Sequence, residues 1–159
     1  MKTIFLLLIL TTLSTSLFSQ STEECQSVKL VSQTELKEAE PCIDKLADYV
    51  LSKKLGDPDE EAKKARAVIL AWMNKTPDYT FVLNTSIMKV CKGENALLFG
   101  VYMTCSAKAA ISQTEEFGEK AFKTLVLYCK NPDNNVTKTK ELEKMLAAWD
   151  NHEYDKYTR

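Results

Sequence analysis

Histidine occurs once in this chain, at position 152, close to the last residue. A nucleophilic serine or cysteine needs a base beside it, and imidazole is the usual one. A Cys–His pair would here have to recruit the terminal segment. His152, Glu153 and Asp155 are read more simply as a solvated tail than as metal ligands. Glycine is nearly as scarce, with four residues, and nothing resembles a phosphate loop or a nucleophile elbow. No Cys-x-x-Cys is present, so neither a zinc ribbon nor a thioredoxin-type site is indicated. Neither sign of charge dominates: 21 basic and 22 acidic residues leave a net charge of −1. Without a basic patch to neutralise phosphates, nucleic acid is not indicated as a partner. The expectation is a protein with no catalytic residue, no cofactor site and no metal site.

What the chain does have begins with a leader. Lys2 supplies a positive start, Ile4 to Leu13 an apolar run, and Ser14 to Gln20 a small and polar end, the pattern of a secretory signal peptide. The run is too short to span a membrane, which takes about 20 apolar residues. Residues 1–19 are therefore expected to be removed, and the protein to be secreted or periplasmic. Five cysteines follow, at positions 25, 42, 91, 105 and 129. In an exported protein they suggest disulfides, and their odd number leaves at least one thiol over.

The stretch Ala96 to Ile111 carries a single charge, Lys108. A helix apolar on nearly all sides is surrounded by protein or by lipid, and this one is too short and too polar for lipid. It is expected to be the central helix of an all-α domain. Its Gly100 costs about 1 kcal/mol relative to Ala in a helix interior. With Thr104 it forms a small-xxx-small pair that would let a neighbouring helix approach closely.

Around this helix the punctuation is clear. Residues 20–40 are polar and read as a loose segment, with a capping-box spacing at Ser32 and Glu35. Pro41 opens a helix whose Ile43, Leu46, Ala47, Val50 and Leu51 share one face. Asp57-Pro58-Asp59-Glu60 reads as the start of the next, with Asp57 as N-cap, and not as a calcium loop, which would spread its oxygens around a Gly bend. Ala65, Val68, Ile69, Trp72 and Met73 form its inner face. Ser112 and Glu115 repeat the capping spacing before a helix to Lys130, which a tight turn makes the antiparallel neighbour of the central one. In that hairpin Cys129 lies level with Cys91, which makes Cys91–Cys129 the expected bridge; buried thiols are the alternative. A last helix, about Lys138 to Asp150, turns Leu142, Met145, Leu146 and Trp149 inward. The sum is a compact bundle of about five helices over residues 41–150, or a helical-hairpin array, followed by a flexible tail at 151–159.

Between the second helix and the central one lies Thr76 to Asn84, the longest non-helical stretch. Its Pro77, Tyr79 and Phe81 either present a partner surface or fold back over a helix end. Sequons occur at Asn74, Asn84 and Asn135, all at helix ends or turns and expected to be accessible.

Trp72-Met73-Asn74-Lys75-Thr76-Pro77-Asp78-Tyr79, Asn95 to Cys105, and a leader ending Phe18-Ser19-Gln20 together carry a resemblance. The chain resembles small exported all-helical proteins of Bacteroidetes-type bacteria, a group with no assigned role. The resemblance implies a secreted or periplasmic bacterial protein and transfers no functional residue. Two functions fit these readings, the first preferred and the second its alternative, so a protein partner is expected ahead of a small molecule. One is a non-enzymatic interaction protein with a protein partner, using a helix face or the Pro77 to Leu83 loop. The other is a carrier of a small apolar ligand in a cavity between helices, suggested by the Phe, Tyr, Met and Trp of the inner faces. A cavity of a few hundred Å³ lined by these aromatics would favour the second.

Overall fold

A computed structural model of the protein describes residues 22–112 and 116–158. Its helices are a turn at 22–26 (α1), Gln33–Glu38 (α2), Glu40–Leu51 (α3), Glu60–Lys75 (α4), Thr85–Val90 (α5), Leu98–Ile111 (α6), Phe117–Lys130 (α7), Lys140–Asp150 (α8) and Asp155–Thr158 (α9). No strand occurs among the described residues. Five helices are long, as the sequence predicts: α3, α4, α6, α7 and α8.

Helix α6 is apolar on every side because it packs against α3, α4 and α7. On one side Leu98, Val101, Tyr102, Cys105 and Ala109 enter a core with Phe122, Leu125 and Val126 of α7 and Leu142 and Met145 of α8. On the other, Ala107 enters a second core with Ile43, Leu46 and Val50 of α3 and Ala65, Ile69 and Trp72 of α4. Met103 touches both. The lone charge of α6 is answered at the α3 interface: Lys108 Nζ lies 2.6 Å from Asp44 Oδ1 and 3.0 Å from Asp48. Close approach at Gly100 is to the stem of Arg66 on α4; a Cβ there would sit 3.3 Å from Arg66 Cδ.

Residues 22–40 are tied down, where the sequence suggests a loose segment. Cys25 is bonded to Cys42 at the start of α3, with Cα atoms 5.0 Å apart. Leu30 and Leu36 are buried, and the fully buried Trp72 donates from Nε1 to the Leu36 carbonyl at 3.0 Å. The capping box does form at Ser32 and starts α2. Its counterpart at Ser112 to Glu115 runs into residues 113–115, which lie outside those described, as does the leader.

The cap of α4 is displaced by two residues from its expected place. Asp59, not Asp57, accepts the Ala62 N–H, at 3.0 Å, and it also receives the Tyr49 hydroxyl at 2.9 Å and Lys53 Nζ at 2.7 Å. An N-cap needs extended backbone, and Asp59 has it, with φ −61° and ψ 108°. Lys53 above all holds the Asp59 carboxyl at about 2, well below its usual range.

Cys91 and Cys129 are not bridged. Both are free thiols, as is Cys105, and all three are buried in the α6–α7–α8 core as small apolar side chains. The three do share one core, as the α6–α7 hairpin requires, but adjacency there does not become a bond. Burial pushes Cys91 and Cys129 up to about 12 and Cys105 upward as well, which disfavours the thiolate needed for exchange.

The C-terminal residues are docked, a further correction to the expected flexible tail. Tyr157 is 5% exposed and stacks on Phe122 of α7, with ring centroids 5.3 Å apart and planes 4° apart. Tyr154 stacks on Trp149 at 5.0 Å. Two aromatic anchors give this short segment enough buried area to hold it in place.

Candidate functional site

The docked tail forms one wall of a recess that opens to solvent. A cavity of about 540 Å³ lies between the extended segment before α5, helix α6, the first turns of α7 and helix α9. Ligand pockets commonly hold about 300–1,000 Å³.

Each wall follows from local sequence. Thr76 to Asn84 cannot be helical at its start, because Pro77 disfavours helix at Thr76, and it runs extended across the bundle. It contributes Phe81, Val82 and Asn84 to the cavity. Asn84 ends the segment and starts the next helix: its Oδ1 accepts from the Ser86 and Ile87 N–H groups at 2.9 and 3.0 Å. Its Nδ2 donates to the Lys156 carbonyl at 3.0 Å and so holds α9. From α6 come Tyr102, Met103 and Ser106, one helical face. Tyr102 donates to the Val82 carbonyl at 3.3 Å and Ser106 to the Tyr102 carbonyl at 3.0 Å, so the polar groups of the floor are satisfied.

Helix α7 contributes Phe117, Gly118, Glu119 and Ala121. Gly118 is required by the tail: a Cβ at this position would lie 2.5 Å from the Thr158 carbonyl oxygen. The Tyr154 hydroxyl donates to Glu119 Oε1 at 2.9 Å, pinning the tail to α7 and raising the tyrosine's pKa through that bond. Tyr102, Ser106, Ala121 and Tyr157 are buried at the base, whereas Val82, Glu116 and Asp155 are exposed and mark the opening. Five aromatic rings line the whole: Phe81, Tyr102, Phe117, Tyr154 and Tyr157.

The residues singled out in the sequence fall partly here. Pro77 is exposed. Tyr79 and Phe81 are half-buried with centroids 5.6 and 6.1 Å from Trp72, and Tyr79 donates to the buried Glu40 at 2.9 Å. The loop thus folds its rings back over α4, because Trp72 offers them an apolar surface, and presents Val82 and Leu83 instead, 67% and 50% exposed. Phe81 is the one of the three that reaches the cavity. Cys91 and Cys129 lie in the core, not in its lining. His152 is exposed in the turn before α9, with φ 60°. No group of three or more His, Cys, Asp or Glu side chains is placed to hold a metal ion among the described residues. No helix among them is long and apolar enough to cross a membrane.

Comparison with models of protein families, with curated proteins and with solved structures finds no match to this chain.

Proposed function

We propose that this is an exported binding protein that holds a small, largely apolar molecule in the cavity beneath α9. The observation that supports the reading is the cavity itself: about 540 Å³, floored by buried residues and lined by five aromatic rings from four separate segments. A recess of this size, with rings on its walls and buried side chains at its base, has the volume and the mainly apolar lining of a small-molecule site. Export is supported by the leader pattern and by the Cys25–Cys42 bond, a linkage that persists in oxidising compartments.

A neutral solvatochromic dye such as Nile red tests the reading. Saturable binding at one dye per chain is expected. Ser106→Phe, which fills the floor, should abolish it while leaving the helical circular-dichroism spectrum unchanged. Native mass spectrometry of protein purified gently from its source should show a peak heavier than the bare chain by a few hundred daltons. No saturable dye site, together with a bare native mass, would remove the proposal.

A protein partner is the second reading, favoured by the exposed Val82 and Leu83 beside the cavity mouth. A photo-crosslinking residue at position 83 tests it in intact cells: one discrete adduct is expected, and its absence counts against this reading alone.

A further inference from the structure

We propose that the molecule held in the cavity is an organic cation, an alkyl- or arylammonium whose apolar part lies against the rings and whose charge sits at the mouth. The inference rests on the cavity reading above and adds the ligand's charge.

Three carboxylates belong to the lining, Glu116, Glu119 and Asp155, and no lysine or arginine does among the described residues. They are set at the edge of an aromatic wall. The negative faces of such rings attract a cation, and alkylammonium groups are the ligands such walls recognise best. Glu119 is the best placed of the three. It is half-buried, and the Tyr154 hydroxyl fixes its Oε1 at 2.9 Å, so a carboxylate is held beside Tyr154 and Phe117 where water screens it less than in bulk. Tyr157 is already engaged, with Lys156 Nζ 5.0 Å from its centroid and Phe122 stacked on it, which leaves Phe117 and Tyr154 as the rings beside Glu119. Lys120 and Lys123 lie with Glu116 and Glu119 along a shallow groove on α7 beside the cavity, outside its lining. Deeper in, Tyr102, Met103 and Ala121 offer mainly apolar surface with satisfied polar groups, suited to a hydrocarbon body. A carboxylate or phosphate ligand would meet the like charges of Glu116 and Glu119 at the entrance.

The test is a calorimetric titration of the full chain with three probes that share one tail: octyltrimethylammonium, octanol and octyl sulfate, each below its micellar concentration. The cation should bind roughly tenfold more tightly than the alcohol, and the sulfate more weakly than the alcohol. The double variant Glu116→Gln, Glu119→Gln should bring the cation to the alcohol's affinity and leave the alcohol unchanged. The amide oxygen that replaces the Glu119 carboxylate would still accept the Tyr154 hydroxyl, and an unaltered thermal melt checks that the wall is intact. Equal binding of cation and alcohol by the natural chain would overturn the charge inference and leave the cavity reading standing, as would preferential binding of the sulfate. Binding of none of the three would overturn both.

Discussion

Lys108 of α6 stands between two carboxylates one helical turn apart on α3, 2.6 Å from Asp44 and 3.0 Å from Asp48. Burial opposes its charge, yet the two partners outweigh burial and raise its pKa. Lys108→Met should lower stability by about 1 kcal/mol, since the pairs are part-exposed. In a domain of this size that is a fall of roughly 2–4 °C in melting temperature. The loss should shrink in about 1 M salt, which a parallel melt would show.

Asp59 makes stability depend on acid. Its folded-state pKa, about 2, lies below the unfolded value, so its contacts stabilise the fold above about pH 4 and are lost as the pH falls from about 4 towards 2. Denaturant midpoints measured across that window should fall less steeply for Asp59→Asn than for the natural chain. At neutral pH, Asp59→Ala should cost about 1–2 kcal/mol through the lost cap.

The thiols should be silent in the folded protein. Cys91, Cys105 and Cys129 are buried, so iodoacetamide should label none of them natively. In denaturant without reductant it should label three, the remaining two being joined as Cys25–Cys42. A mass shift for five labels would contradict the bond.

Gly118→Ala should release the tail without melting the bundle. The new methyl would meet the Thr158 backbone, which cannot yield as a flexible side chain does. Amide exchange at residues 154–158 should accelerate, and Nile red binding should weaken at least severalfold, while the far-ultraviolet circular-dichroism spectrum stays native.

Gly100 should behave in the opposite way. The atom nearest a new Cβ is Arg66 Cδ, at 3.3 Å, part of a side chain that can move. Gly100→Ala should therefore stabilise, by up to about 1 kcal/mol of helix propensity. Gly100→Leu should lower the melting temperature, because the longer side chain would press on the α4 backbone.

Helix α6 was legible in the sequence because a helix with one charge must be enclosed on all sides, and the structure encloses it between α3, α4 and α7. Pro41 and the apolar face after it marked α3 for equally local reasons. The cavity could not be read this way. Its walls come from segments as distant as Phe81 and Thr158, and none of them carries a motif. The signal that was present is small: Tyr154 and Tyr157 close together near the end, and a glycine at position 118 in the first turn of a helix. Neither speaks until Phe122 and the Thr158 backbone are placed against them. The disulfide was hidden for the same reason. Proximity of Cys91, Cys105 and Cys129 in one core was deducible, whereas the return of residues 22–40 onto α3 depended on Trp72 and Leu36, 36 residues apart.

Asn84 is 7% exposed, caps α5 and holds α9 through its amide nitrogen, yet Asn84-Thr85-Ser86 is also a glycosylation acceptor. The oligosaccharide transferred in a eukaryotic secretory pathway would attach to that same nitrogen. The modified nitrogen would keep one hydrogen, but a glycan has no room where Asn84 is 7% exposed against the Lys156 backbone, so sugar addition and tail docking compete for the same space. Material made in yeast or animal cells should divide into a modified fraction with the tail released and an unmodified fraction with the tail docked. Bacterial production, which does not add this glycan, should give a single species, and the choice of expression host then becomes a choice of conformation.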